Sequence, residues 1–314
     1  MRKIVASLLL TLALAACGGG GSSADQAKIL HVGSQKGGTK ALMLASGVLD
    51  GAPYGIEWSE FPAAQHLLEA IGGGAVDIGL TGDAPFLFAY QSGSPIKAVG
   101  AQDVPQRPEG ALAIIVPAGS PVKSLADLKG KTIATTRGSV GHYLVVRALA
   151  AARLPPDYAK LSFLAPGDAK AAFSSGSIDA WSIWVPYLGA ALQEHACIVA
   201  DGHDLVRGVG FDVANESAIR DKRALIEDFL KREAKALAWS AAHKEAYAGV
   251  LARETGLPIA IARDYVAKSG RQRIPIDAAV IADQRRVLDD FGRSGAVTGT
   301  RDLQGAFDAS FNAK

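Results

Sequence analysis

Residues Ile29 to Thr39 read Ile-Leu-His-Val-Gly-Ser-Gln-Lys-Gly-Gly-Thr. The apolar run Ile29 to Gly33 is too short for a helix and predicts a strand; Ser34 to Gly38 predicts a tight turn, and an amphipathic helix follows from Thr39 to Leu49. This strand–turn–helix unit recurs along the chain. Strands are predicted at 56–60, 76–81 and 96–101, with helices at 64–71, closed by Gly72-Gly73-Gly74, and at 84–91. Short apolar strands alternating with amphipathic helices specify an α/β fold built on parallel sheet.

A further strand, Leu112 to Val116, is closed by Pro117, and there the rhythm restarts. A helical turn at 125–128 precedes strands at 131–136, 161–164, 178–181 and 197–200, with helices at 140–152, 169–175 and 187–193 between them. A strand at 209–214 is expected to carry the chain back to the first unit. Beyond it the pattern is helical: Ile226, Phe229, Leu230 and Leu237 share one helix face, and Val280, Val287, Leu288 and Phe291 share another. The expected architecture is a two-lobed clamp with two crossover strands. Lobe I spans 27–116 plus 208–314, and lobe II spans 117–207. Ligands of open α/β sheets bind beyond the carboxyl ends of the strands, so the site is expected in the cleft between the lobes.

The first 26 residues read as an export signal and tether. Arg2 and Lys3 precede an apolar run, Ile4 to Ala13, too short for a membrane span. Leu14-Ala15-Ala16-Cys17 is the lipobox pattern, with Cys17 as the lipid-attachment residue, and Gly18 to Ser23 is a flexible Gly/Ser linker. The predicted location is the periplasm, anchored to the inner or outer membrane through lipid alone. The chain has 33 basic and 31 acidic residues. Loss of Arg2 and Lys3 with the signal leaves the charges balanced, so no broad basic face exists for nucleic acid and anion recognition must be local. Cys197, the second of two cysteines, lies in the apolar run Ala196 to Ala200 and is expected to be a buried strand residue.

Three strand-to-helix turns share one composition: Ser34-Gln35-Lys36-Gly37-Gly38-Thr39, Thr81-Gly82-Asp83-Ala84-Pro85 and Arg137-Gly138-Ser139-Val140-Gly141-His142. Glycine admits close backbone approach, and the helix beginning behind each turn presents free N–H groups and the positive end of its dipole, which together suit an anion. One such turn says little, because every α/β protein has them; three, two of them carrying a basic residue, point to a small anion gripped from both lobes. The spacing is neither that of a P-loop nor that of the dinucleotide fingerprint. Asp83 reads as a cap for the helix at Ala84-Pro85 or as an acceptor for a group on the ligand. His142 either donates to the anion or simply occupies the first helical turn. In Asp179-Ala180-Trp181-Ser182-Ile183-Trp184-Val185-Pro186-Tyr187, Trp184 is expected to line the ligand and Trp181 to belong to the core. Asp201-Gly202-His203-Asp204 reads as a turn, His66 and His195 as surface or packing residues, and neither metal nor cofactor is expected.

At these residues the sequence resembles the aliphatic sulfonate-binding proteins of ABC importers, within the nitrate/sulfonate/taurine-binding branch. The likeness is carried by Gly33-Ser34-Gln35-Lys36-Gly37, Glu60-Phe61-Pro62-Ala63, Thr81 to Pro85, Leu125-Ala126-Asp127-Leu128-Lys129-Gly130-Lys131, Gly138-Ser139 with His142, Ala171-Ala172-Phe173, and Asp179-Ala180-Trp181 with Trp184 and Tyr187. It runs from 29 to about 205 and more weakly through Arg273, Pro275 and Gln284. The resemblance implies a periplasmic binding fold of the second topological type, acting as a monomer that delivers its ligand to a permease and its ATPase. It implies ligand contacts at Gln35, Gly82, Asp83, Gly138, Ser139, His142 and Trp184, with Lys36 and Gly37 in the same turn. The sequence departs from the family at the lipobox, at Phe211-Asp212 and at Thr298 to Asp302. Nitrate, taurine, a sulfate ester or an aromatic sulfonate are alternative ligands, and a ligand sensor is an alternative role. Pyrimidine-precursor synthases share the fold, but they are cytoplasmic, and no Gly-X-Ser-X-Gly elbow or nucleophile–base–acid cluster stands in this sequence.

Overall fold

The computed structural model describes residues 28–36, 38–297 and 299–312. The expected export signal and tether, with Cys17, and the positions Gly37 and Thr298 lie outside the described residues. Among the described residues no helix is long and apolar enough to cross a membrane.

The first sheet holds β1 (Ile29–Gln35), β2 (Gly55–Phe61), β3 (Ile78–Gly82), β4 (Ile96–Asp103), β10 (Gly210–Asn215) and β11 (Gln272–Ile274), in the order β11-β4-β10-β3-β1-β2. β2 and β3 run parallel to β1, while β10 runs antiparallel to both β3 and β4. Helices α1 (Thr39–Ser46), α2 (Ala64–Gly72) and α3 (Asp83–Gln91) follow β1, β2 and β3. The central strands are apolar on both faces because both are covered. On one side Leu30, Val32, Ile78 and Val99 pack with Phe229 and Leu251; on the other Phe86, Leu87 and Phe211 pack with Val280 and Phe291. Each such fully buried side chain contributes about 1.5–3 kcal/mol of transfer free energy.

The second sheet holds β5 (Leu112–Val116), β6 (Thr132–Thr135), β7 (Lys160–Phe163), β8 (Ala180–Trp184) and β9 (Cys197–Asp201), in the order β7-β6-β8-β5-β9. It carries α4 (Val140–Ala151), α5 (Pro166–Ser174) and α6 (Tyr187–Gln193). After β10 the chain is mainly helical: α7 (Glu216–Asp221), α8 (Arg223–Ala242), α9 (Lys244–Thr255), α10 (Ile259–Lys268) and, beyond β11, α11 (Ala278–Arg293). Ile226, Phe229, Leu230 and Leu237 of α8 are buried, as are Val280, Val287 and Phe291 of α11, so both expected apolar faces are present.

Two expectations are corrected. Leu112 to Val116, assigned above to lobe I, is hydrogen-bonded between β8 and β9 of the second sheet. The outward crossing is therefore 104–111, and 202–209 is the return. An apolar strand with four of five residues buried fits the middle of either sheet; only the long-range pairing decides. Cys197 is exposed. It sits at the start of β9, the edge of its sheet, and neighbouring Ile198, which points to the opposite face, is 40% exposed as well, so this end of the edge strand is uncovered on both faces.

Candidate functional site

A cavity of about 220 Å³ lies between the two sheets at the carboxyl ends of β1, β3 and β8. Its walls combine Gln35, Lys36, Thr39, Gly82 and Asp83 from one lobe with Ser139, Val140 and Trp184 from the other. Both crossings border it, through Val104 and Arg107 on the way out and through Gly202, His203, Val206, Arg207 and Gly208 on the return. The crossings are tied together: Gly110 N–H donates to Asp201 Oδ2 at 2.7 Å, and His203 Nδ1 meets the Arg107 carbonyl.

The lobes also touch through side chains around the cavity. Gln65 Nε2 donates to the Arg137 carbonyl at 3.0 Å and Tyr187 Oη to the Pro62 carbonyl at 3.1 Å. On α11, Asp290 Oδ2 accepts from Tyr143 Oη at 2.9 Å and from Arg147 at 3.2 Å. Phe291 packs edge-on to Phe88, centroids 4.7 Å apart, and lies 5.2 Å from the rings of His142 and Tyr143. The lobes are thus closed on the cavity.

The structure sorts the predicted residues. Gln35, Lys36, Gly82, Asp83, Ser139 and Trp184 all border the cavity, while Trp181 is 1% exposed, in the core behind it. Gln35 Nε2 donates to the Leu80 carbonyl at 2.8 Å, which orients its amide. Trp184 is half-buried and meets Tyr187 edge-to-face at 6.4 Å, so its indole forms a flat apolar wall.

His142 and Gly138 are not brought to the cavity. The ring of His142 is buried between Phe88, Phe163 and Phe291, and its Nδ1 accepts from the Gly138 N–H at 3.2 Å. Burial, helped by the Arg137 guanidinium, lowers its pKa to about 4, so the ring is neutral. Gly138 itself has φ +67°, and an added Cβ would stand 2.7 Å from the Phe88 ring. The glycine in this turn is there for left-handed backbone and close interlobe packing, and its N–H is spent inside lobe II. Arg137 lies over the Phe163 ring at 3.9 Å. Asp212 is buried as well, bonded to Arg273 at 2.7 Å, and stays in the lobe I core.

The expected convergence of three sets of amide donors is reduced to two. At the second turn the Asp83 N–H donates to the Val209 carbonyl at 2.9 Å, the Ala84 N–H to Asp83 Oδ1 at 2.8 Å, and Pro85 has no N–H. Asp83 is the first residue of α3; Gly82 is the N-cap and makes no side-chain cap bond, and the Asp83 carboxylate takes only the adjacent Ala84 amide. Burial pushes its carboxyl up to about 6, Asp283 adds to the rise, and the Ala84 N–H and Arg271 oppose it. At the first and third turns Lys36, Gly38 and Ser139 also spend their N–H groups internally. The first-turn amides of α1 and α4 are taken in part as well, Lys40 N–H by Ser34 Oγ at 3.3 Å and His142 N–H by Ser139 Oγ at 3.1 Å; among the described residues the N–H groups of Thr39, Val140 and Gly141 remain without an acceptor.

Sequence reasoning missed the basic side chains of the C-terminal half. Arg207, Lys268 and Arg271 border the cavity with Arg107 and Lys36. Arg207 is paired with Asp103 and Asp283, at 3.2 and 3.4 Å, and Lys268 with Asp264 at 2.7 Å. No spacing links these residues to the three glycine turns; the basic pair Arg271, just before β11, and Arg273, within it, is the one local hint. Among the described residues no group of three or more His, Cys, Asp or Glu side chains is arranged to hold a metal ion.

The NMT1/THI5-like family matches residues 59–246. An aliphatic sulfonates-binding protein of Escherichia coli (strain K12) is 36% identical over 267 residues, which is 83% of this chain and 83% of that one. The crystal structure of the periplasmic aliphatic sulphonate binding protein SsuA from E. coli matches with a TM-score of 0.77 at 33% identity, over 89% of this chain and 91% of the other. The alkanesulfonate-binding protein SsuA from Xanthomonas axonopodis pv. citri, bound to MOPS, matches with a TM-score of 0.81 at 31% identity, over 90% and 98%. These relatives are binding proteins, and they share the α/β fold with two mixed sheets found here. Fold and sequence agree that the chain belongs to the NMT1/THI5-like family, alongside the periplasmic aliphatic sulfonate-binding proteins.

Proposed function

We propose that this chain is the ligand-capturing component of an ABC importer, taking an aliphatic sulfonate into the cavity between its lobes and presenting it to a permease and its ATPase. The observation that carries this reading is that two helix starts from opposing lobes, at Thr39 and Val140, border one cavity with an aromatic wall. A sulfonate is a permanent monoanion with three acceptor oxygens, suited to several neutral donors around it. The N–H groups of Thr39 and Val140 at the starts of α1 and α4, the hydroxyls of Thr39 and Ser139 and the amide of Gln35 are such donors. Lys36 frames the same end of the cavity, and Trp184 takes the alkyl tail. Ligand held by both lobes stabilises the closed form over the open one, which is the signal a permease reads.

The reading includes no catalytic step. The Ser139 hydroxyl accepts the His142 backbone N–H at 3.1 Å while the His142 ring is turned to Gly138, so no base stands at it. Cys197, the cysteine among the described residues, is exposed on an edge strand away from the cavity. Cys17 carries the lipid that holds the protein at the periplasmic face of a membrane. Isothermal titration of the detergent-solubilised full-length protein with alkanesulfonates of increasing chain length tests the assignment. Saturable binding with 1:1 stoichiometry is expected; binding of nitrate with no response to any sulfonate overturns it.

A further inference from the structure

Arg271 lies between α10 and β11, half-buried, at the cavity wall. Its recorded hydrogen bond is a long one, from Nη1 to the Gly208 carbonyl at 3.4 Å, and among the described residues no carboxylate lies within ion-pair distance. The other basic residues of the cavity are either paired, as Arg207 and Lys268 are, or exposed to solvent, as Lys36 and Arg107 are. Asp83 acts on it only from beyond ion-pair distance, and burial disfavours the Asp83 charge, so this half-buried guanidinium is incompletely balanced and gains when an anion reaches it.

Its placement is built into the sheet. Gly210 stands opposite Gly82 in the β10–β3 register, and a Cβ on Gly210 would come within 2.8 Å of Arg271 Nη1. The guanidinium therefore lies against bare backbone beside the start of α3. That start is the one whose amides are spent on Val209 and Asp83. Charge stands here in place of backbone donors.

We propose that Arg271 is the charged ligand-recognition residue of this site, binding the oxygens of the anionic group that the α1 and α4 amides also hold. Gly210 is the position that makes room for it. The inference rests on the sulfonate reading above and adds to it a fixed positive charge that neutral donors alone do not supply. It also connects recognition to closure, because Arg271 is bonded to the return crossing at Gly208.

The test uses full-length protein in detergent and butanesulfonate as the probe. Arg271→Gln is expected to weaken binding by about 10- to 100-fold, the range of one lost charge-assisted hydrogen bond. Arg271→Lys, which keeps the charge, is expected to recover part of that loss. Gly210→Ala displaces the guanidinium without removing it and is expected to weaken binding with the melting temperature little changed, since only the ends of two flexible side chains, Arg271 and Leu80, must move. The wild-type affinity should fall with added salt more steeply than that of Arg271→Gln. Equal affinity of Arg271→Gln and wild type, or equal salt dependence of the two, overturns the assignment while leaving the sulfonate reading intact. Failure of the wild type to bind any sulfonate overturns the sulfonate reading and this inference with it.

Discussion

Replacing Arg273 by Met should cost stability in proportion to pH. Arg273 on β11 reaches Asp212 Oδ2 at 2.7 Å and Glu233 Oε2 at 3.3 Å, and both carboxyls are 1% exposed. Gln102 Nε2 donates to Asp212 at 3.2 Å. Gly100 makes the room, since a Cβ there would collide with both Arg273 and Asp212. One cation thus faces two buried carboxyls, and burial together with the neighbouring Asp212 charge pushes Glu233 well above the usual carboxylate range. The raised pKa favours the protonated form of Glu233, and Arg273 is the counter-charge that stands beside both carboxyls. Without Arg273 the second carboxyl must also be neutral when folded. Protonating a carboxyl with an unfolded-chain pKa of about 3.9 costs about 1.4 kcal/mol per pH unit, or about 4 kcal/mol at pH 7 and about 1.5 kcal/mol at pH 5. The first figure falls in the range of about 3–5 kcal/mol for breaking a buried ion pair from one side. The assay is urea unfolding of wild type, Arg273→Met and Arg273→Met/Asp212→Asn at both pH values. The double variant should recover most of the loss, because Asn carries no charge to bury. A loss below about 1 kcal/mol at pH 7, or one that does not change between pH 7 and pH 5, would refute the reasoning.

Other tests address the cavity and the lobe contact. Asp83 has a folded pKa of about 6, above its unfolded value of 3.8, so its contribution to stability is fully present below pH 3.8 and is lost as pH rises through 6. Asp83→Asn should therefore flatten the stability–pH curve on that interval, and at pH 7.5 it should bind an anion several-fold tighter by titration calorimetry. His142 behaves oppositely: its folded pKa of about 4 lies below 6.5, so stability is lost as pH falls from 6.5 toward 4, by about 3 kcal/mol in full, and thermal melts of His142→Gln should lack that limb. Trp184→Ala should weaken long-chain sulfonates by about tenfold and methanesulfonate far less, consistent with loss of an apolar wall, and should remove ligand-induced change in tryptophan fluorescence. Gly138→Ala, which meets Phe88 at 2.7 Å with φ at +67°, should cost about 1–3 kcal/mol in chemical denaturation.

Most of the fold is legible in local pattern. The strand at Ile29, the helices behind the glycine turns and the apolar faces of Ile226 to Leu237 and Val280 to Phe291 follow from periodicity and from glycine stops, which act within one turn or strand. The site is legible in part. Gln35, Lys36, Gly82, Asp83, Ser139 and Trp184 stand at strand ends, and the rule that such ends face the cleft finds them. Gly138 and His142 obey the same local rule and still turn away, because an aromatic cluster contributed by α3, β7 and α11 buries them.

The amino-acid order alone determined an α/β chain in two units, the turns between strand and helix, and the composition of the cleft's leading edge, because backbone propensity and hydrophobic period are properties of neighbours in sequence. Only the tertiary structure decided that β5 joins the second sheet, that the amides after Gly82 are already spent, and that Arg271 comes to rest against Gly210. Each of these depends on pairing between segments roughly 60 to 130 residues apart. A hydrogen bond or a charge has no partner until the chain has closed on itself.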